Sequence, residues 1–157
     1  MIRYRWCWRY IYGDYLNLFD RLWKRILTRR MWDKANQMIL KPVILMSKLV
    51  TPVMVKQGIG SIVNITTFSA FEPSLMFPTS SVFRASVSSF AKLYSDRYGP
   101  DNIRMNCLLP GFTDSLDLPQ RLANMSALKR LARAEEQAKA AAFLLSEDSS
   151  YITGQSL

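Results

Sequence analysis

No histidine occurs anywhere in the 157 residues. Ser-His-Asp and Cys-His nucleophile chemistry is thereby excluded, and acid/base work is left to carboxylates, lysine, tyrosine or hydroxyls. Cysteine is nearly absent as well: Cys7 and Cys107 fit neither a disulfide framework nor the close Cys/His spacing of a zinc site. That usage suggests a reducing, cytoplasmic setting. No uncharged run reaches the ~18 apolar residues of a membrane-spanning helix. The opening "MIRYRWCWRYIYG" lacks the apolar block and small-residue cleavage site of a secretory signal.

What is present is an ordinary globular balance, 49% apolar and 21% charged, which argues for one folded domain rather than disorder. A chain of this size buries roughly 70% of its unfolded surface. The net charge of +9 is unevenly spread: eight of the 21 basic residues and two of the 12 acidic ones fall in Met1–Met31, so +6 of it sits in the first fifth of the chain. All four tryptophans (Trp6, Trp8, Trp23, Trp32) lie in or beside that segment. Within it, Leu16, Phe19, Trp23, Ile26 and Leu27 recur at helical spacing with Arg21, Lys24 and Arg25 between them, and "RYRWCWRY" alternates basic and aromatic residues. Such a segment suits nucleic acid or an anionic membrane, or an ordinary surface helix packed by its apolar stripe. We divide the chain into a basic aromatic extension, residues 1–31, and a folded body, residues 32–157.

In the body, residues 33–56 read as a long helix that Pro42 and Pro52 should bend or divide. "GSIVNIT" (60–66) and "IRMNCLL" (103–109) are short apolar runs bounded by glycine or proline, the signature of buried parallel strands. Residues 80–98 and 135–145 read as helices, the latter with Glu135 and Glu136 at its positive N-terminal end, and "YITGQSL" reads as a final strand. The alternation of helix and strand predicts an α/β fold with a parallel sheet.

The ordered set "GSIVNITT", "NIRMNCLLPG" and "AAAFLLSEDSSYITGQSL" resembles the C-terminal half of the short-chain dehydrogenase/reductase family, over about residues 32–157. The resemblance implies a partial Rossmann-type parallel sheet, its last three strands with flanking helices. It also implies an NAD or NADP cofactor and hydride transfer between the nicotinamide and a carbonyl or alcohol. The family's catalytic serine falls on Thr67, its tyrosine on Ser80 and its lysine on Arg84; a fourth position, an asparagine in the family, falls on Ile39. "PGFTDS" resembles the turn that binds the nicotinamide carboxamide, which points to Pro110, Gly111, Thr113 and Ser115 as cofactor-binding residues beside Arg84. The segment from Asp117 to Arg133 stands where the family keeps a substrate-covering loop.

The departures limit what carries over. No Tyr-x-x-x-Lys occurs. A phenol with a pKa of about 10 can be drawn toward neutrality by an adjacent ammonium, whereas an aliphatic serine hydroxyl is a far weaker acid and arginine does not relay protons readily. The only G-x-G, Gly58-Ile59-Gly60, precedes a strand instead of following one, so the glycine-rich pyrophosphate turn is missing. A plainer reading makes Ser80 a helix N-cap and Arg84 a solvated first-turn residue. The expectation is an oxidoreductase by descent, shortened on its N-terminal side and impaired. The alternative is a non-catalytic module whose long helices pair with a second copy or with an intact relative.

Overall fold

The computed structural model describes residues 28–115 and 118–157. The basic-aromatic extension up to residue 27, with its expected helix and Cys7, lies outside the described residues, as do Leu116 and Asp117. Helix α1 runs from Arg29 to Gln57, so the boundary expected at Met31 falls within its first turn. It is interrupted by a π-helical turn, Asn36–Leu40, immediately ahead of Pro42. Pro42 has no N–H for the carbonyl four residues back and its ring presses on that carbonyl; the wider turn relieves both. At Pro52 the helix continues. It stops at Gly58, whose left-handed φ of 71° lets its N–H return to the Val55 carbonyl at 3.2 Å.

Strand β1, Gly60–Ile65, lies parallel to β2, Ile103–Leu108, in the register Gly60↔Ile103 to Ile65↔Leu108. The connection between them is helix α2, Pro78–Tyr98, as a parallel pair requires. Because successive strand residues face opposite ways, β2 sorts the fold into layers. Ile103, Met105 and Cys107 are fully buried against Val87, Ala91 and Tyr94 of α2, with Ile39, Leu40, Val43 and Met54 of α1 beside them. Arg104 points to the opposite face, toward helix α4, Ala134–Leu145. A four-residue helix α3, Gln120–Ala123, lies in the intervening segment. Helices therefore cover both faces of a parallel sheet, the expected α/β arrangement.

The third expected strand is only partly realised. The tail runs parallel to β2 through bonds from Gly154 N–H to Met105 O (2.8 Å), Cys107 N–H to Gln155 O (2.8 Å) and Leu157 N–H to Cys107 O (3.0 Å), with a single bridge at Cys107 and Ser156. Its Gln155 N–H is taken by the Asn106 side-chain carbonyl at 2.9 Å instead of by backbone, which breaks the ladder into one bridge.

The guanidinium of Arg104 donates to Leu144 O (3.0 Å), Ser146 O (2.9 Å) and Ser149 Oγ (3.0 Å). It supplies donors for carbonyls that the last turn of α4 leaves unpaired, at the negative end of the helix. Leaving such buried groups without partners costs about 1–3 kcal/mol each. At the other end of α4, Glu136 accepts from the Arg133 N–H (2.8 Å) and from both Arg130 Nη atoms (2.7 and 2.8 Å). These donors hold its carboxyl at about 2, well below the ordinary 4.5. A depressed carboxylate stabilises the fold above its unfolded pKa, and that contribution is lost as pH falls through the folded value. The difference in melting temperature between wild type and Glu136→Gln should therefore be constant above about pH 5, shrink below 4.5 and vanish near 2. A difference that stays constant on acidification to pH 2 would contradict this role.

Candidate functional site

Parallel strands in register end at one level, so the segments leaving β1 and β2 meet side by side. Thr66 is tied to Leu108 O through both its N–H (2.8 Å) and its hydroxyl (3.2 Å). The next two residues turn to Pro110: the Thr67 hydroxyl donates to Pro110 O at 3.4 Å and the Phe68 N–H donates to the same oxygen at 3.1 Å. Phe68 then meets Phe112 edge-on, ring centroids 5.4 Å apart, so an aromatic pair closes the gap between the two segments.

Helix α2 brings the second half of the set. Its N-cap is Phe77 and its first helical residue is Pro78, so Ser80 is inside the first turn and does not cap it. Ser81 instead bonds backward, donating to Phe77 O at 2.8 Å and accepting from the Ser74 N–H at 3.4 Å. One turn on, Arg84 donates through Nε to Ser80 Oγ (3.1 Å) and through Nη1 to Ile65 O (3.1 Å). The i, i+4 spacing therefore does place Ser80 and Arg84 on one face, and the pair faces the end of β1, next to Thr67. Arg84 is half-buried, with its Nη1 bond to Ile65 O at the exposed surface. Burial lowers its pKa, and no carboxylate among the described residues forms an ion pair with it. It remains a cation in any working range.

The "PGFTDS" residues belong to a different part of the same end. Thr113 pairs with Ala132, and its hydroxyl lies 2.9 Å from that of Ser115. Asp114 accepts from the Ala134 N–H at 3.1 Å while its own N–H donates to Ala132 O at 2.9 Å. The turn is thus pinned to the start of α4. Ile39, in the π turn of α1, packs half-buried against the core. Asp114, Phe68 and Phe112 escaped the sequence reading; the only signal for Asp114 was an acidic residue inside a proline-glycine turn.

Do these residues fit a pyridine dinucleotide? Gly111 is open, with nothing within 4 Å of an added Cβ, so it forms no cradle. Gly60 lies against Met54, where a Cβ would come within 2.5 Å of the sulfur, and Gly58 ends α1. Among the described residues, no glycine-rich turn follows a strand and opens a helix. Two of the Arg84 donor groups are engaged by Ile65 and Ser80. The described residues thus offer the Thr67 and Ser80 hydroxyls but do not accommodate the whole dinucleotide.

A family model described as Enoyl-(Acyl carrier protein) reductase matches residues 24–157. Dehydrogenase/reductase SDR family member 4 of Homo sapiens is 34% identical over 140 residues, which cover 83% of this chain and 50% of that protein. The 3-oxoacyl-(acyl-carrier-protein) reductase FabG of Thermotoga maritima is 33% identical over 132 residues, 79% of this chain and 53% of that protein. A crystal structure described as ribose-5-phosphate isomerase from Brucella melitensis 16M superposes with a TM-score of 0.76 at 30% identity, over 83% of this chain and 54% of that one. The chain spans about half the length of the curated relatives it matches. With the parallel α/β layering and the family match over residues 24–157, the chain belongs to the short-chain dehydrogenase/reductase family.

Proposed function

We propose that this chain carries the substrate-side portion of an NAD(P)-dependent carbonyl/alcohol oxidoreductase and that hydride transfer by the chain on its own is impaired. The observation behind the reading is the state of Arg84. Its guanidinium joins Ile65 O to Ser80 Oγ, and so serves as a clasp between α2 and β1. Among the described residues the Ser80 hydroxyl is bonded to Arg84 and to no carboxylate, lysine or tyrosine that would take its proton. Thr67 can still donate a hydrogen bond to a substrate oxygen if it releases Pro110 O, a bond already long at 3.4 Å. Thr67, Ser80 and Arg84 would then bind and orient a carbonyl without moving a proton to it. We place this activity, by the scarcity of cysteine, in a reducing, cytoplasmic setting.

Titration of the purified chain with NADH and NADPH, followed by thermal shift and cofactor fluorescence, should show no saturable binding up to millimolar levels. The Ser80→Tyr, Arg84→Lys double variant should behave alike, because neither substitution supplies the glycine-rich pyrophosphate turn that the described residues lack. Saturable binding with ketone turnover at rates ordinary for enzymes, about 1–1,000 per second, would overturn the reading.

A second reading is favoured by the groove between α1 and α2. Ile44, Lys48, Val55, Phe90, Leu93 and Arg97 surround about 680 Å³ of open space, and Leu93 at its rim is 68% exposed. We propose that this groove pairs the long helices with those of a second copy or an intact relative, since an unpaired apolar groove invites self-association. Sedimentation equilibrium should show concentration-dependent dimers that Leu93→Glu weakens at least about tenfold, as burying an unpaired charge demands. A monomer at all concentrations would contradict it.

A further inference from the structure

Helix α4 begins without a cap of its own. Arg133 stands at its N-cap position, and a guanidinium has no acceptor to offer the N–H groups of the first turn. Serine, threonine, aspartate or asparagine ordinarily does this work. Here the acceptor comes from 20 residues upstream, where Asp114 Oδ1 takes the Ala134 N–H at 3.1 Å. A carboxylate suits the positive end of a helix, and its hydrogen bonds are stronger than those of a neutral acceptor. Asp114 is also held at a second point, because its own N–H donates to Ala132 O at 2.9 Å. The Ala132 N–H in turn donates to Phe112 O at 3.0 Å. Backbone and side chain of one residue are thus both fastened to the start of α4.

The residues on either side of this fastening are Thr113 and Ser115, whose hydroxyls lie 2.9 Å apart. Between them the chain turns only through soft backbone dihedrals. The N–H bond of Asp114 holds the peptide plane ahead of its Cα, and the carboxylate bond holds the direction of its Cβ, which leaves the angle between the flanking side chains little freedom. One hydroxyl of the pair spends its proton on the other, so a single O–H donor and free lone pairs face outward. Glu136 serves the start of α4 as well, but through Arg130 and the Arg133 N–H. Two carboxylates therefore hold the same helix start, and Asp114 is the one that belongs to the site turn.

We propose that Asp114 is a positioning residue of the site: by capping α4 from the Pro110–Ser115 turn it holds the Thr113 and Ser115 hydroxyls together, an assignment that rests on the oxidoreductase reading for the use of those hydroxyls and on geometry for how they are held. NMR of the full chain tests it without any nucleotide, so the outcome is independent of whether the chain binds one. Asp114 is exposed, so its substitution leaves the core intact. Asp114→Ala should speed amide exchange at Ala134 at least about tenfold and move the Thr113 γ-methyl resonance toward its random-coil position. Asp114→Asn, whose side-chain oxygen still accepts, should restore that resonance and bring the exchange to within about threefold of wild type. Glu136→Gln should leave the Thr113 methyl where it is. A Thr113 methyl unmoved by Asp114→Ala would overturn the proposal. Equal displacement by Glu136→Gln would also overturn it and assign the order of the turn to the start of α4 as a whole. Failure of Asp114→Asn to rescue would assign the effect to charge alone and equally end the proposal.

Discussion

Strand β2 is buried on both faces, and the rest of the structure is arranged to satisfy it. On one side Ile103, Met105 and Cys107 are completely enclosed, which fixes α2 and the inner side of α1. On the other, a guanidinium cannot be desolvated without acceptors, so Arg104 needs the carbonyls that the end of α4 has to spare. The tail is fixed by the same logic, because Asn106 binds Ile152 O (2.8 Å) and the Gln155 N–H (2.9 Å) with its two ends. Packing on one face and polar satisfaction on the other therefore specify a single arrangement.

That arrangement brings the site together and also constrains it. The register that pairs Ile65 with Leu108 brings Thr67 beside Pro110. It also leaves the Ile65 carbonyl facing α2, where Arg84 takes it. A shorter ammonium at this position would be a compact point charge on a flexible stem; the planar guanidinium instead spans two acceptors at once. Arg84 is thereby part of the framework. The hydroxyls at Thr67 and Ser80 remain as hydrogen-bonding groups, the first donating to Pro110 O and the second accepting from Arg84.

Much of this was legible in the sequence. "GSIVNIT" and "IRMNCLL" read as buried strands because a β-branched, apolar run enclosed by glycine or proline has few other uses, and Ser80 and Arg84 read as one face from their spacing alone. What could not be read depends on contacts between distant segments. Ser80, Ser81 and Thr79 are equivalent as capping candidates in sequence, and only the position of Pro78 in the first turn shows that none of them is the cap. The Thr67 hydroxyl is engaged by a carbonyl 43 residues away. Pro42 announced a disturbance in α1 but not its form, a π turn. Which side of α1 faces the core was invisible to periodicity, because apolar residues occur on every side of that helix and Ser47 and Thr51 are among its buried residues.

The central claim is that Arg84 is a fixed clasp and not a free ligand for a cofactor, and the side-chain Nε–Hε resonance of Arg84 tests it most directly by NMR. If the clasp holds, that resonance will be resolved and slow to exchange with solvent, unmoved by NADPH, and returned to its exchange-averaged position by Ser80→Ala. A resonance that exchanges freely in the wild-type chain, or that shifts saturably as NADPH is added, would contradict the account.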